Sequence, residues 1–183
     1  MLDEEALING CIRGERGVQR ALYERFSRKM LVVCMRYSKG RQEAEDILQD
    51  AFIKVFDHIK HFRRECPLEG WIRRIVVNTA LNHNRSKLYL YPALDLEDVE
   101  TTVDENLTLA DIHFEELLAM VQQLAPRYQI VFNLFAIEGY SHKEIATMLD
   151  ISEGTSKSQY ARARMILQQM IVEKQRVNYE RFK

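Results

Sequence analysis

The sequence is poor in the residues that mark several protein classes. Its 183 residues include only 3 Pro and 7 Gly, too few for a low-complexity or collagen-like chain, and at 46% hydrophobic it is too apolar for a disordered one. The 3 cysteines, Cys11, Cys34 and Cys66, are widely spaced and form no CxxC pair. That spacing excludes a disulfide framework and a CxxC zinc site, and predicts a reducing compartment. No apolar run approaches the roughly 20 residues that cross a bilayer; MLVV is among the longest. The opening MLDEEALING is acidic where a signal peptide needs a basic flank. A soluble, cytoplasmic protein without membrane insertion is expected.

An excess of one charge is missing too, since 26 Lys and Arg face 27 Asp and Glu. The balance hides a pattern. Residues 60 to 91 carry Lys60, Arg63, Arg64, Arg73, Arg74, Arg85 and Lys87 against Glu65 and Glu69, and residues 153 to 183 are again basic. Between them, residues 92 to 106 hold Asp95, Glu97, Asp98, Glu100, Asp104 and Glu105 and no base. The basic blocks are either anion-facing surfaces or solvated helix faces. The acidic stretch opens with Pro92 and lacks a helical apolar repeat, so it reads as a flexible acidic linker joining units 1–91 and 107–183. There is no internal repeat.

Apolar periodicity predicts an all-α fold of two small helical domains. From Glu43 to Phe62, residues Ala44, Ile47, Leu48, Ala51, Phe52, Val55, Phe56 and Ile59 recur at helical spacing. The opposite face offers Asp46, Gln49, Asp50, Lys54 and Asp57. After Pro67, a helix start, Leu68, Trp71, Ile72, Ile75, Val76 and Thr79 repeat again, leaving Arg74, Asn78, Leu81 and Arg85 on another face. Arg and Asn donate to phosphates and base edges. Val18 to Tyr37 also reads as helix, with HFRRECP a loop further on.

In the C-terminal half, Ser141 and Glu144 form a capping box for a short helix bearing Ile145, Ala146 and Leu149. Asp150 and Ile151 make a turn, Ser152 caps again, and a helix follows to about Lys174. Two helices joined this tightly are a helix-turn-helix, whose second helix enters the major groove, or a plain helical hairpin. Lys157, Ser158, Gln159 and Arg162 are placed to face out, and Tyr160, Ala163, Leu167 and Met170 to pack inward.

DILQDAFIKVFDHIKHF with PLEGWIRRIVVNTALNHNR, and later LAPRYQIVFNLFAIEGYSHKEIATMLDISEGTSKSQYARAR, resemble regions two and four of an extracytoplasmic function sigma factor of bacterial RNA polymerase. The resemblance implies a non-enzymatic transcription initiation subunit with no cofactor. Its implied partners are core RNA polymerase, promoter DNA and an anti-sigma factor. It places Asp46, Gln49, Asp50 and the neighbouring Lys54 on the surface that docks on the polymerase clamp. The loop Phe62 to Pro67, with Arg63 and Arg64, falls where a flipped base of the minus-ten element is captured; Asn78 matches an Asn that contacts the element, and Arg74 and Arg85 accompany it. Lys157, Ser158 and Arg162 match positions that read the minus-thirty-five element.

Two residues depart from the family pattern. Gln159 replaces the usual Arg, and Ser156 stands where Val is usual, facing the helix-turn-helix core, where it is expected to loosen packing. Cys66, in the loop, is a reactive thiol or an inert one.

Two other readings compete. A helix-turn-helix regulator would need a sensor or receiver domain on parallel strands, and the first half lacks an alternating strand pattern. A metal-dependent helical bundle would draw on Glu43, Glu45, Asp46, Asp50, Asp57, His58 and His61, but the Glu-x-x-His spacing of such bundles is absent.

Overall fold

The computed structural model describes residues 2–90 and 114–181. The linker expected at 92–106 lies outside the described residues. The chain forms two compact units, Met1–Ser86 and Lys87–Lys183, and every regular element among the described residues is a helix.

In the first unit, Asp3 caps α1 (Glu4–Ile12) by accepting from the Ala6 amide at 2.7 Å, with Glu4 and Glu5 complementing the helix dipole. α1 packs on α2 (Arg16–Met35). The two approach closely enough that a Cβ on Gly10 would stand 2.7 Å from a Val18 methyl. Gly10→Ala is therefore expected to destabilise the unit by about 1–2 kcal/mol, because overpacking outweighs the helix propensity gained. Urea unfolding checks this, and a stabilised variant would contradict the close approach.

α2 buries Leu22, Phe26, Met30, Val33 and Cys34, as its spacing predicts. α3 (Arg41–His58) buries Ala44, Ile47, Leu48, Ala51, Phe52 and Val55, while Phe56 is half-buried. The helix expected to reach Phe62 stops earlier, tightening into a 3-10 turn at Ile59–His61. Phe62, at φ -67° and ψ 111°, is already extended there. α4 (Leu68–Leu90) follows Pro67, whose carbonyl accepts from Trp71 at 3.1 Å. Its buried side includes Leu68, Ile72, Val76, Val77 and Ala80. Leu81 is buried as well and leaves the polar face to Arg74, Asn78 and Arg85, since an apolar side chain gains by leaving water. Asn84, buried, donates both amide protons, to the Tyr37 carbonyl at 2.8 Å and the Ala80 carbonyl at 2.9 Å. It ties α4 to the chain leaving α2.

In the second unit, α5 (Phe114–Gln123), α6 (Pro126–Phe132) and a π-helical turn (Asn133–Ile137) lead to α7 (His142–Leu149) and α8 (Glu153–Arg181). Met120, Val121, Leu124, Phe132, Ala163, Leu167 and Ile171 form the core, with Tyr160 and Met170 half-buried at its edge. α8 runs past the end expected near Lys174.

Candidate functional site

Three exposed polar surfaces stand on these helices. On α3, Asp46, Gln49, Asp50 and Asp57 are exposed. At about 100° per residue they share one face, with Ile53 at its middle. Ile53 is 58% exposed, an apolar residue that the sequence reading passed over. Its position off the buried stripe was the available signal. Lys54 turns away, half-buried, its Nζ 3.3 Å from Thr79 Oγ1 on α4.

The loop after the 3-10 turn packs Phe62 on Trp71, ring centroids 5.2 Å apart, and exposes Arg63, Arg64, Glu65 and Cys66. Arg64 takes the left-handed conformation, φ 60°, rare outside glycine. Its Nη1 lies 3.3 Å from Glu5 Oε1, and its Nη2 donates to Asn9 Oδ1 at 3.5 Å. α1 thus braces this loop through Glu5 and Asn9, two residues the sequence reading missed because their partner is more than fifty positions away. Arg74, Asn78 and Arg85 are exposed together along α4.

The helix-turn-helix forms as its caps predict. Ser141 and Glu144 complete the capping box, Asp150 makes the left-handed turn at φ 55°, and Ser152 Oγ accepts from the Thr155 amide at 2.9 Å. Lys157 is exposed and pairs with Glu153 at 2.7 Å. Ser158 is exposed and donates to the Thr155 carbonyl at 3.0 Å. Gln159 and Arg162 are half-buried, and Arg162 Nη1 lies 3.6 Å from Met165 Sδ.

Ser156 is fully buried but not loose, for its Oγ lies 3.0 Å from His142 Nδ1. The His142 ring stacks on Phe135 at 4.1 Å. Burial, and then the Lys157 charge, push the His142 pKa below its usual value, with Glu153 opposing. The fold therefore favours the neutral ring. Below about pH 6.5 the unfolded chain takes up a proton that the folded one resists, so this contribution is present above that pH and fades as pH falls. Amide exchange in α7 and α8, corrected for intrinsic rates, is expected to quicken between pH 7.5 and 5.5, and less so in His142→Asn. An equal change in both proteins would contradict the assignment.

Burial pushes the Cys11 and Cys34 thiols up to about 11 and about 12, while Cys66 is exposed. Glu43, one ligand of the rival metal reading, lies 3.3 Å from His83 Nε2. Among the described residues no three His, Cys, Asp or Glu converge on a metal position, and no helix is long and apolar enough to cross a membrane.

Residues 22–88 match sigma-70 region 2, and residues 114–167 match sigma-70 region 4. The RNA polymerase sigma-H factor of Pseudomonas aeruginosa is 29% identical over 174 residues, 88% of this chain and 90% of that protein. The ECF RNA polymerase sigma-E factor of Haemophilus influenzae is 29% identical over 182 residues, 93% of this chain and 96% of that protein. The sigma factor RpoE from Bartonella quintana, crystallised with the anti-sigma factor NepR, shares the fold, with TM-score 0.52 and 19% identity over 83% of this chain and 95% of that one. Two helical units, the second ending in a helix-turn-helix, define a DNA-binding protein of the sigma-70 class. The chain belongs to the extracytoplasmic function sigma factors of that family, which direct RNA polymerase to promoters.

Proposed function

We propose that this sigma factor works as a cytoplasmic, non-catalytic subunit with separate surfaces for polymerase and for two promoter elements. The α3 face of Asp46, Gln49 and Asp50 docks on core RNA polymerase, with Lys54 at its flank. Residues 1–91 also take the minus-ten element, through Phe62, Arg63, Arg74, Asn78 and Arg85. Arg64 shapes the loop from its contacts with α1. Residues 92–106 link this unit to 107–183, where Lys157, Ser158, Gln159 and Arg162 meet the minus-thirty-five duplex. An anti-sigma factor is the expected regulator, as one accompanies the Bartonella relative.

The observation that carries this reading is the order of the two sigma-70 regions along one chain, each with a polar surface left free by its core. The test is transcription of genomic DNA by core polymerase with and without the protein, mapping RNA 5′ ends. New start sites sharing two upstream elements are expected. Start sites unchanged by the protein would refute the reading and favour a regulator that acts without core polymerase.

Within that activity, Asn78→Ala should slow opening of the minus-ten region about fivefold. It removes one hydrogen bond, about 1 kcal/mol, to an unpaired base. Duplex binding should persist. Permanganate reactivity of thymines near the start site measures opening, and unchanged reactivity would remove Asn78 from the mechanism.

A further inference from the structure

Ser156 lies in the first turn of α8 between Thr155 and the exposed Lys157, yet its side chain is fully buried. Its hydroxyl meets His142 Nδ1 at 3.0 Å. His142 is the first residue of α7, so this bond joins the first turns of the two helices of the helix-turn-helix. The imidazole is itself held. It lies nearly parallel to Phe135, at 11° and 4.1 Å, and Tyr160 of α8 closes on both rings at 5.9 and 4.5 Å. A buried hydroxyl is tolerated when it has a partner, and a hydrogen bond has a direction and a length that an apolar contact lacks. The bond therefore adds a directional restraint between the two helices to the apolar packing that already holds them.

We propose that His142 and Ser156 form a positioning pair, whose hydrogen bond registers the first turn of α8 on the first turn of α7 and thereby sets where Lys157 and Ser158 meet the minus-thirty-five duplex. The proposal rests on the reading of this unit as the minus-thirty-five reader. Groups that contact DNA must be held to within a fraction of an ångström by neighbours that do not touch it. His142 and Ser156 are such neighbours, acting through the helix that carries Lys157 and Ser158.

The experiment uses full-length protein bound to core polymerase and promoters that differ only in the minus-thirty-five element. The readout is the ratio of affinities for preferred and altered elements. Ser156→Val fills the space without the bond, and His142→Phe keeps the ring stack without it. Each is expected to lower the ratio about fivefold, with the double variant no worse than either single one, since both remove the same interaction. His142→Asn, which returns a polar atom near the place of Nδ1, should keep most of the discrimination. Amide exchange in α8, measured in parallel, should change little.

Full discrimination in both single variants would overturn the pair while leaving the reader intact. So would a loss as large in His142→Asn as in His142→Phe, or a loss that merely follows faster exchange. A wild-type protein indifferent to the element would overturn the pair together with the reading beneath it.

Discussion

Ile53→Lys is expected to weaken binding to core RNA polymerase by about thirtyfold or more, the range of an interface hot spot. Ile53 is 58% exposed amid Asp46, Gln49, Asp50 and Asp57. An isoleucine forgoes about 1.5–3 kcal/mol when left in water, a loss that a partner surface recovers by covering it. The new lysine would bring a charge that must be desolvated on docking and would offset the carboxylates around it. Asp46→Ala with Asp50→Ala should cost less, about tenfold, and the cost should shrink as salt rises, because exposed charges act mainly through screened, long-range attraction. The buried stripe of α3 is untouched in every variant, so far-ultraviolet circular dichroism should not change. Full affinity in the Ile53 variant would place the docking surface elsewhere.

Asn84→Leu is expected to destabilise the first unit by about 2–3 kcal/mol, because both hydrogen bonds from the buried Asn84 amide, to the Tyr37 and Ala80 carbonyls, are lost and the leucine cannot replace them. For a unit of this size that lowers the unfolding midpoint by about 10–20 °C. The chain's 1 tryptophan, Trp71, lies in α4, so its fluorescence follows this unit alone. A shift under about 3 °C would mean that these two bonds contribute little to the stability of the unit.

Much of this was legible in the chain, for physical reasons that can be located. The stripe on α3 and the capping box at Ser141 follow from the helical repeat and from local hydrogen bonding. Ile53 was legible as well, an apolar residue where the repeat calls for a polar one. α1 escaped notice because nine residues are too few to display a repeat, although Asp3, Glu4 and Glu5 mark its start. The end of α8 is unmarked in the sequence, since no glycine or proline follows Gly154, and the helix runs on to Arg181.

Three of the residues that behaved differently from expectation share one cause. Lys54 meets Thr79, Arg64 meets Glu5, and Ser156 meets His142. Spacing tells which side of a helix a residue occupies, and tertiary packing decides what it meets there. That is why the serine read as a packing defect is one half of a bonded pair.

The three cysteines have a practical consequence. Two are sealed in the core with thiols pushed far up, and the third is exposed in the loop that leads into α4. Thiol reagents attack the thiolate of an accessible cysteine, so a maleimide dye attaches to the unaltered protein once, at Cys66. The chain therefore carries its own labelling position, on the loop proposed to meet the minus-ten element, and single-molecule recordings of promoter opening can begin from the wild-type sequence.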